Sequence, residues 1–107
     1  MQILKQSTAG QEVMMGPFVD STDGVTPETG LTIANTDIRI HVRAATAFTD
    51  KNSGGGTHKE DGYYLVTFDA TDTDTTGPIK VQITVAGALP VVETMLVQSA
   101  AAHNSLI

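Results

Sequence analysis

The chain has 107 residues, no cysteine and no tryptophan, and twelve acidic against six basic residues, for a formal charge of −6. A length of this order predicts one domain able to bury its own core. The absent cysteines exclude a disulfide framework and a cysteine-based zinc site, and the few scattered basic residues exclude a nucleic-acid backbone as partner.

In chain order, residues 1–11 are polar, with a loop at Ser7-Thr8-Ala9-Gly10, and read as an N-terminal arm or an edge strand. They begin without the charged-then-apolar run of a signal peptide, and no segment has the length of a membrane span. Residues 12–19 (Glu-Val-Met-Met-Gly-Pro-Phe-Val) predict a strand whose Pro17 belongs near an edge or bulge. Asp20-Ser21-Thr22-Asp23-Gly24 predicts a turn. Residues 30–33 predict a short strand, and residues 37–42 a clearer one, with Ile38, Ile40 and Val42 inward and Arg39 and His41 outward. Residues 46–49 are expected to pair with it. The run Lys51-Asn52-Ser53-Gly54-Gly55-Gly56 reads as an exposed, mobile turn.

Three further strands follow, at residues 63–68, 79–85 and 91–97. The middle one alternates apolar residues with Lys80, Gln82 and Thr84, the two-residue period of a strand with one buried face. Residues 99–107 carry alanines and an apolar end; they form a tail, helical if anything, too short to be stable alone. Some seven strands with regular turn signals predict an all-β antiparallel sandwich over residues 12–98. Glu60-Asp61-Gly62-Tyr63-Tyr64-Leu65-Val66 resembles the tyrosine corner of immunoglobulin-like domains, with Tyr64 as the corner residue and Val66 where a cysteine usually stands.

Few residue clusters carry chemistry. Asp72, Asp74, Thr76 and Gly77 imitate the first half of an EF-hand loop, but Ile83 stands where the bidentate glutamate is required. A looser calcium site using Asp69, Asp72 and Asp74 with Asp20 and Asp23 is the one metal reading left; no other cofactor is expected. His41, His58 and His103 have no metal-ligand spacing. No serine sits in a nucleophile elbow, and Gly54-Gly55-Gly56 opens no phosphate loop, so the expectation is a chain that is not an enzyme and takes no small-molecule substrate. Sugar binding would need exposed aromatics, and only Tyr63 is expected to face outward.

The run Gly16-Pro17-Phe18-Val19-Asp20-Ser21-Thr22-Asp23-Gly24-Val25-Thr26-Pro27-Glu28-Thr29-Gly30-Leu31-Thr32-Ile33 and the following Asp37-Ile38-Arg39-Ile40 resemble the opening of a family of tailed-phage virion proteins. The likeness continues through Thr57-His58-Lys59-Glu60-Asp61-Gly62-Tyr63-Tyr64, Asp69-Ala70-Thr71-Asp72-Thr73-Asp74-Thr75 and Val85-Ala86-Gly87-Ala88-Leu89-Pro90-Val91. The layout also resembles the amino-terminal sandwich of phage baseplate and receptor-binding proteins.

The resemblance implies a non-enzymatic structural protein of the virion, assembled in the host cytoplasm, with other virion proteins and copies of itself as partners. Neither nucleic acid nor membrane is among them. It would be a tail, fibre-base or neck component. The alternatives are a capsid decoration protein and, from another class, a calcium- or sugar-binding adhesion module. Free sheet edges favour symmetric assembly, with threefold order expected. The contacts expected to serve it are Met1, Ile3 and Leu4 in the arm and Leu106 and Ile107 in the tail, with the sandwich folding independently of residues 1–9.

Overall fold

Alternating burial sets the inner faces of the strands. The computed structural model describes residues 2–101. These form β1 (Gln2–Lys5), β2 (Gln11–Met15), β3 (Ile38–His41), β4 (Thr49–Asp50), β5 (Gly56–Glu60), β6 (Tyr63–Phe68), β7 (Gly77–Ile83) and β8 (Val91–Gln98). In β7, Ile79, Val81 and Ile83 are buried; in β6, Tyr64, Val66 and Phe68 are. Register brings these rows together: Ile40 lies opposite Val81, Ile79 opposite Met95, Val13 opposite Val66 and Met15 opposite Tyr64.

Two sheets result, a five-stranded one in the order β1-β8-β7-β3-β4 and a three-stranded one in the order β2-β6-β5. Their inner faces share one apolar core. The order of β8-β7-β3-β4 is the G-F-C-C′ order of a variable-type immunoglobulin sheet, and β2-β6-β5 is the B-E-D order of its partner. The predicted immunoglobulin-like sandwich is therefore the fold. It is not wholly antiparallel, because β1 runs parallel to β8. Aliphatic side chains replace the usual disulfide and tryptophan: β2, β7 and β3 contribute Val13, Val81 and Ile40 to the core.

The tyrosine corner is corrected. Tyr64 lies in β6, the middle strand of the smaller sheet, whereas a corner tyrosine begins the strand that β7 occupies. Its buried ring packs edge-on against Phe18 at 5.1 Å. The hydroxyl accepts a hydrogen bond from the Leu31 amide (3.0 Å) and donates one to the Glu28 carbonyl (2.9 Å). It thus pins the loop on which residues 30–33 were expected to form a strand. Only a single bridge, Ile33 to Gly56, remains of that strand. Tyr64→Phe is expected to cost about 1–3 kcal/mol by leaving both backbone groups without a partner. A lower denaturant midpoint at unchanged slope would register it.

Residues 51–56 depart from expectation in part: Asn52, Ser53 and Gly54 are exposed as expected, but the flanking residues are not. Lys51 is buried at 2% exposure, and Gly55 passes so close to the Ile33 backbone that a Cβ would lie 1.6 Å from its carbonyl oxygen. Glycine at position 55 permits this close backbone approach.

Candidate functional site

The acidic segment after β6 is held by its own hydrogen bonds. The Asp72 amide donates to Asp69 Oδ1 (2.9 Å), the Asp69 amide donates to Asp72 Oδ2 (3.2 Å), and the Thr73 hydroxyl donates to the Asp69 carbonyl (3.0 Å). Short polar side chains bonding nearby amides are what this composition favours. The segment is then tied to two others. Asn52 donates from its amide to Asp72 Oδ1 (2.9 Å) and from its side chain to Asp69 Oδ2 (2.7 Å). The Thr73 carbonyl accepts from the Ser7 amide at 2.9 Å, which joins the turn after β1.

A cation does sit among these carboxylates, and it is a lysine. Lys51 Nζ donates to the carbonyls of Ser53 and Gly54 and stands 3.9 Å from Asp72 Oδ2, with the two side chains 1% and 3% exposed. It lies over the Phe68 ring at 5.7 Å. Two carbonyl oxygens and a carboxylate would suit a hard metal ion; here the ammonium takes them. Burial pushes the Asp72 carboxyl above its ordinary value, against the pull of the Asn52 and Asp69 amides. The hydrogen bond from the Asn52 side chain holds Asp69 below its own.

The loose calcium site is not assembled. Asp20 and Asp23 belong to the loop joined to the beginning of β6, where the Phe18 amide bonds the Gly62 carbonyl. Asp69 follows the far end of that strand, a separation of roughly 17–20 Å along six residues. Asp23 is engaged locally, accepting from the Val25 amide, the Thr26 amide and the Thr26 hydroxyl, which together lower its pKa to about 2. Among the described residues no group of three or more His, Asp or Glu side chains could hold a metal ion.

A cleft of about 240 Å³ opens beside the lysine site, and Ile40, Val42, Asp50, Asp72 and Asp74 are among its lining residues. Each of these carboxylates already has a partner. Asp50 pairs with Arg39 at 2.5 Å, Asp72 is held as above, and Asp74 accepts from the Thr75 hydroxyl at 3.0 Å. His41 and His58 are likewise engaged, the first with the Ala45 carbonyl (3.0 Å) and the second with the Gly62 amide (3.3 Å). The other polar groups that line it are the Thr49 and Thr71 hydroxyls and the Asn52 amide; no histidine, lysine or arginine is among the lining residues.

The expected contact residues separate into two groups. Ile3 is 42% exposed on the outer face of the larger sheet, whereas Leu4 is 1% exposed and belongs to the core. Leu4 is therefore corrected from a contact residue to a core one: of the two readings of the N-terminal residues, arm or edge strand, the structure has the edge strand, and Leu4 is on its inward face. Met1, Leu106, Ile107 and His103 lie outside the described residues. Sequence reasoning missed the buried Lys51 and the half-exposed Met14 and Val92. The β8 alternation held a signal for Val92, because it sits out of phase with the buried Met95 and Val97.

The strand order defines an immunoglobulin-like β-sandwich, with no group of side chains that could hold a metal ion among the described residues. Compared with known protein families, with curated proteins and with solved structures, the chain matches none of them.

Proposed function

We propose that this chain is a non-enzymatic structural protein of a tailed-phage virion, which joins copies of itself to other virion proteins as a tail, fibre-base or neck component. The observation that carries the reading is the placement of its exposed apolar side chains. Ile3 and Val92 stand on the larger sheet, Met14 and Tyr63 on the smaller, and Val25 and Leu89 at one end. At that end the two loops are bonded together, Ser21 amide to Gly87 carbonyl (3.1 Å) and Leu89 amide to Val19 carbonyl (2.9 Å). A rigid sandwich with apolar groups on two faces and a tip is suited to contact with neighbours on several sides. The resemblance of residues 16–33, 37–40, 57–64, 69–75 and 85–91 to virion proteins supplies the setting.

The test is to purify phage particles from a strain encoding the chain, identify their proteins by mass spectrometry, and label them with antibody against the folded domain. The expected result is a stoichiometric band, with label at the tail or neck. Label on the shell would transfer the role to capsid decoration. Absence from particles would overturn the reading.

A further inference from the structure

Among the described residues, Lys51 and Asp72 are the only buried side chains of opposite charge, 1% and 3% exposed, with the Phe68 ring against the nitrogen. Their separation of 3.9 Å is longer than a charge-assisted hydrogen bond, which closes to about 2.7–2.9 Å. Nζ instead gives two N–H groups to the carbonyls of Ser53 and Gly54. One position on the nitrogen is left, and Asp72 Oδ2 is the polar group that stands by it. In an amine with two N–H groups so engaged, that position is the lone pair.

The carboxyl is held as a lone pair's target should be. Asp72 Oδ1 accepts from the Asn52 amide at 2.9 Å and Oδ2 from the Asp69 amide at 3.2 Å, so two backbone dipoles draw electron density from Cγ. Burial disfavours the charged pair, and it holds Asp72 toward its protonated form. Proton transfer from Nζ to the carboxyl turns ammonium and carboxylate into amine and carboxylic acid. A nucleophile and an electrophile are then fixed side by side.

We propose that Lys51 and Asp72 condense spontaneously into an isopeptide cross-link within the chain. Nζ attacks Cγ, forming the N–C bond and placing negative charge on Oδ1, where the Asn52 amide stands. A proton passes from Nζ to the Oδ2 hydroxyl, the Cγ–Oδ2 bond breaks, and Oδ2 departs as water. Ammonium and carboxylate thus become one amide and one water, with no oxidant, cofactor or activating group required. Asp72 and Asn52 line the cleft, which gives the water an exit. The new carbonyl keeps the Asn52 amide, and the new N–H keeps one of the two loop carbonyls. A near-attack separation is about 3–3.5 Å, which a small torsional change in the flexible lysine stem supplies. The bond ties the residue after β4 to the turn after β6 and closes residues 51–72 into a covalent loop, restricting the unfolded chain. Until it closes the two groups remain the ion pair, and a chain without Lys51 lacks both forms.

The test is the intact mass of the purified full chain after prolonged incubation in its folded form, measured under denaturing conditions. The expected result is a deficit of one water against the sequence. Trypsin does not cut after an acylated lysine, so the digest is expected to hold residues 44–59 joined to residues 60–80. Lys51→Arg keeps a cation but supplies no amine, and Asp72→Ala removes the acceptor; both are expected to show full mass and no joined peptide. Should the alanine variant fold poorly, the arginine variant and the wild-type digest still decide. A folded wild-type chain of full mass, with separate peptides 44–51, 52–59 and 60–80, overturns the proposal. So does a water deficit that maps to a succinimide at Asp23-Gly24 or Asp61-Gly62. The result is independent of the virion reading, because the bond forms or fails in the isolated chain.

Discussion

Lys51→Met is expected to lower the melting temperature by roughly 12 °C or more, the result of losing about 3–5 kcal/mol in a domain of this size. Methionine preserves most of the buried volume, so the effect isolates the charge. Without the ammonium, the carbonyls of Ser53 and Gly54 lose their donor, and Asp72 is left as a carboxylate 3% exposed with no cation beside it. A buried charge deprived of its partner costs far more than the pair itself contributes. Residues 51–56 are also the segment that brings the Gly55 backbone against Ile33, so local loosening extends to the start of β5.

The acid limb of the same experiment carries a signature that lost packing would not. Burial already holds the Asp72 carboxyl above its ordinary value. Removing Lys51 removes one influence that lowers it, so in the variant it rises further. A carboxyl whose folded pKa exceeds its unfolded one binds its proton more tightly in the fold. Stability then falls as pH rises from the unfolded value through the folded one, and returns on acidification. The gap between variant and wild type is therefore expected to narrow as pH drops toward about 4 and below. Asp69 moves in the opposite sense but is common to both proteins and largely cancels in the difference. Adding Asp72→Asn to Lys51→Met is expected to recover part of the loss, a coupling above about 0.5 kcal/mol in a double-mutant cycle. A variant that melts within about 1 kcal/mol of wild type at every pH would show that Lys51 is not the internal counterion.

The parts legible in the sequence are those where side-chain period and burial coincide. Ile79, Val81 and Ile83 alternate because β7 is central in its sheet with one face on the core, and Ile38 and Ile40 do the same in β3. The turn at Gly24, with its amide bonded to the Asp20 carbonyl at 2.8 Å, follows from local Asx and glycine chemistry. What was not legible depends on distant partners. The strand β5 (Gly-Thr-His-Lys-Glu) has no inward apolar row of its own and exists through its pairing with β6. Residues 30–33 look like a strand, yet the Tyr64 hydroxyl fixes their neighbourhood in an irregular path.

The candidate site was half legible for the same reason. Asp69 and Asp72 announce a capped turn, and it is one. Nothing local to Lys51, placed beside three glycines, says that its ammonium will be enclosed by carbonyls of its own loop and a carboxylate that follows β6. Composition reads flexibility into Gly54-Gly55-Gly56, whereas the fold uses Gly55 for contact.

Leu4→Ala is expected to cost about 2–5 kcal/mol, while Ile3→Ala costs under about 1 kcal/mol. Adjacent residues of one strand point to opposite faces, so the pair contrasts core with surface at a fixed place in the sheet. Leu4 enters the shared core at 1% exposure and lies opposite Val97 in the parallel register, while Ile3 lies opposite Leu96 on the outer face at 42% exposure. The consequence for truncation reverses the sequence expectation that residues 1–9 are dispensable for folding. Deleting them removes Leu4 and the bonds between the Lys5 backbone and the Gln11 side chain, at 2.6 and 2.8 Å, that close the corner between the sheets. It also removes the Ser7 tie to Thr73 and bares the β8 edge, a long strand with Val92 already half exposed and no lysine to guard it. Urea denaturation of the truncated chain is expected to show a broad, early transition, with aggregation during refolding. Cooperative melting at the wild-type temperature would make β1 an appendage after all, and the parallel β1–β8 pairing would then contribute nothing to the stability of the sandwich.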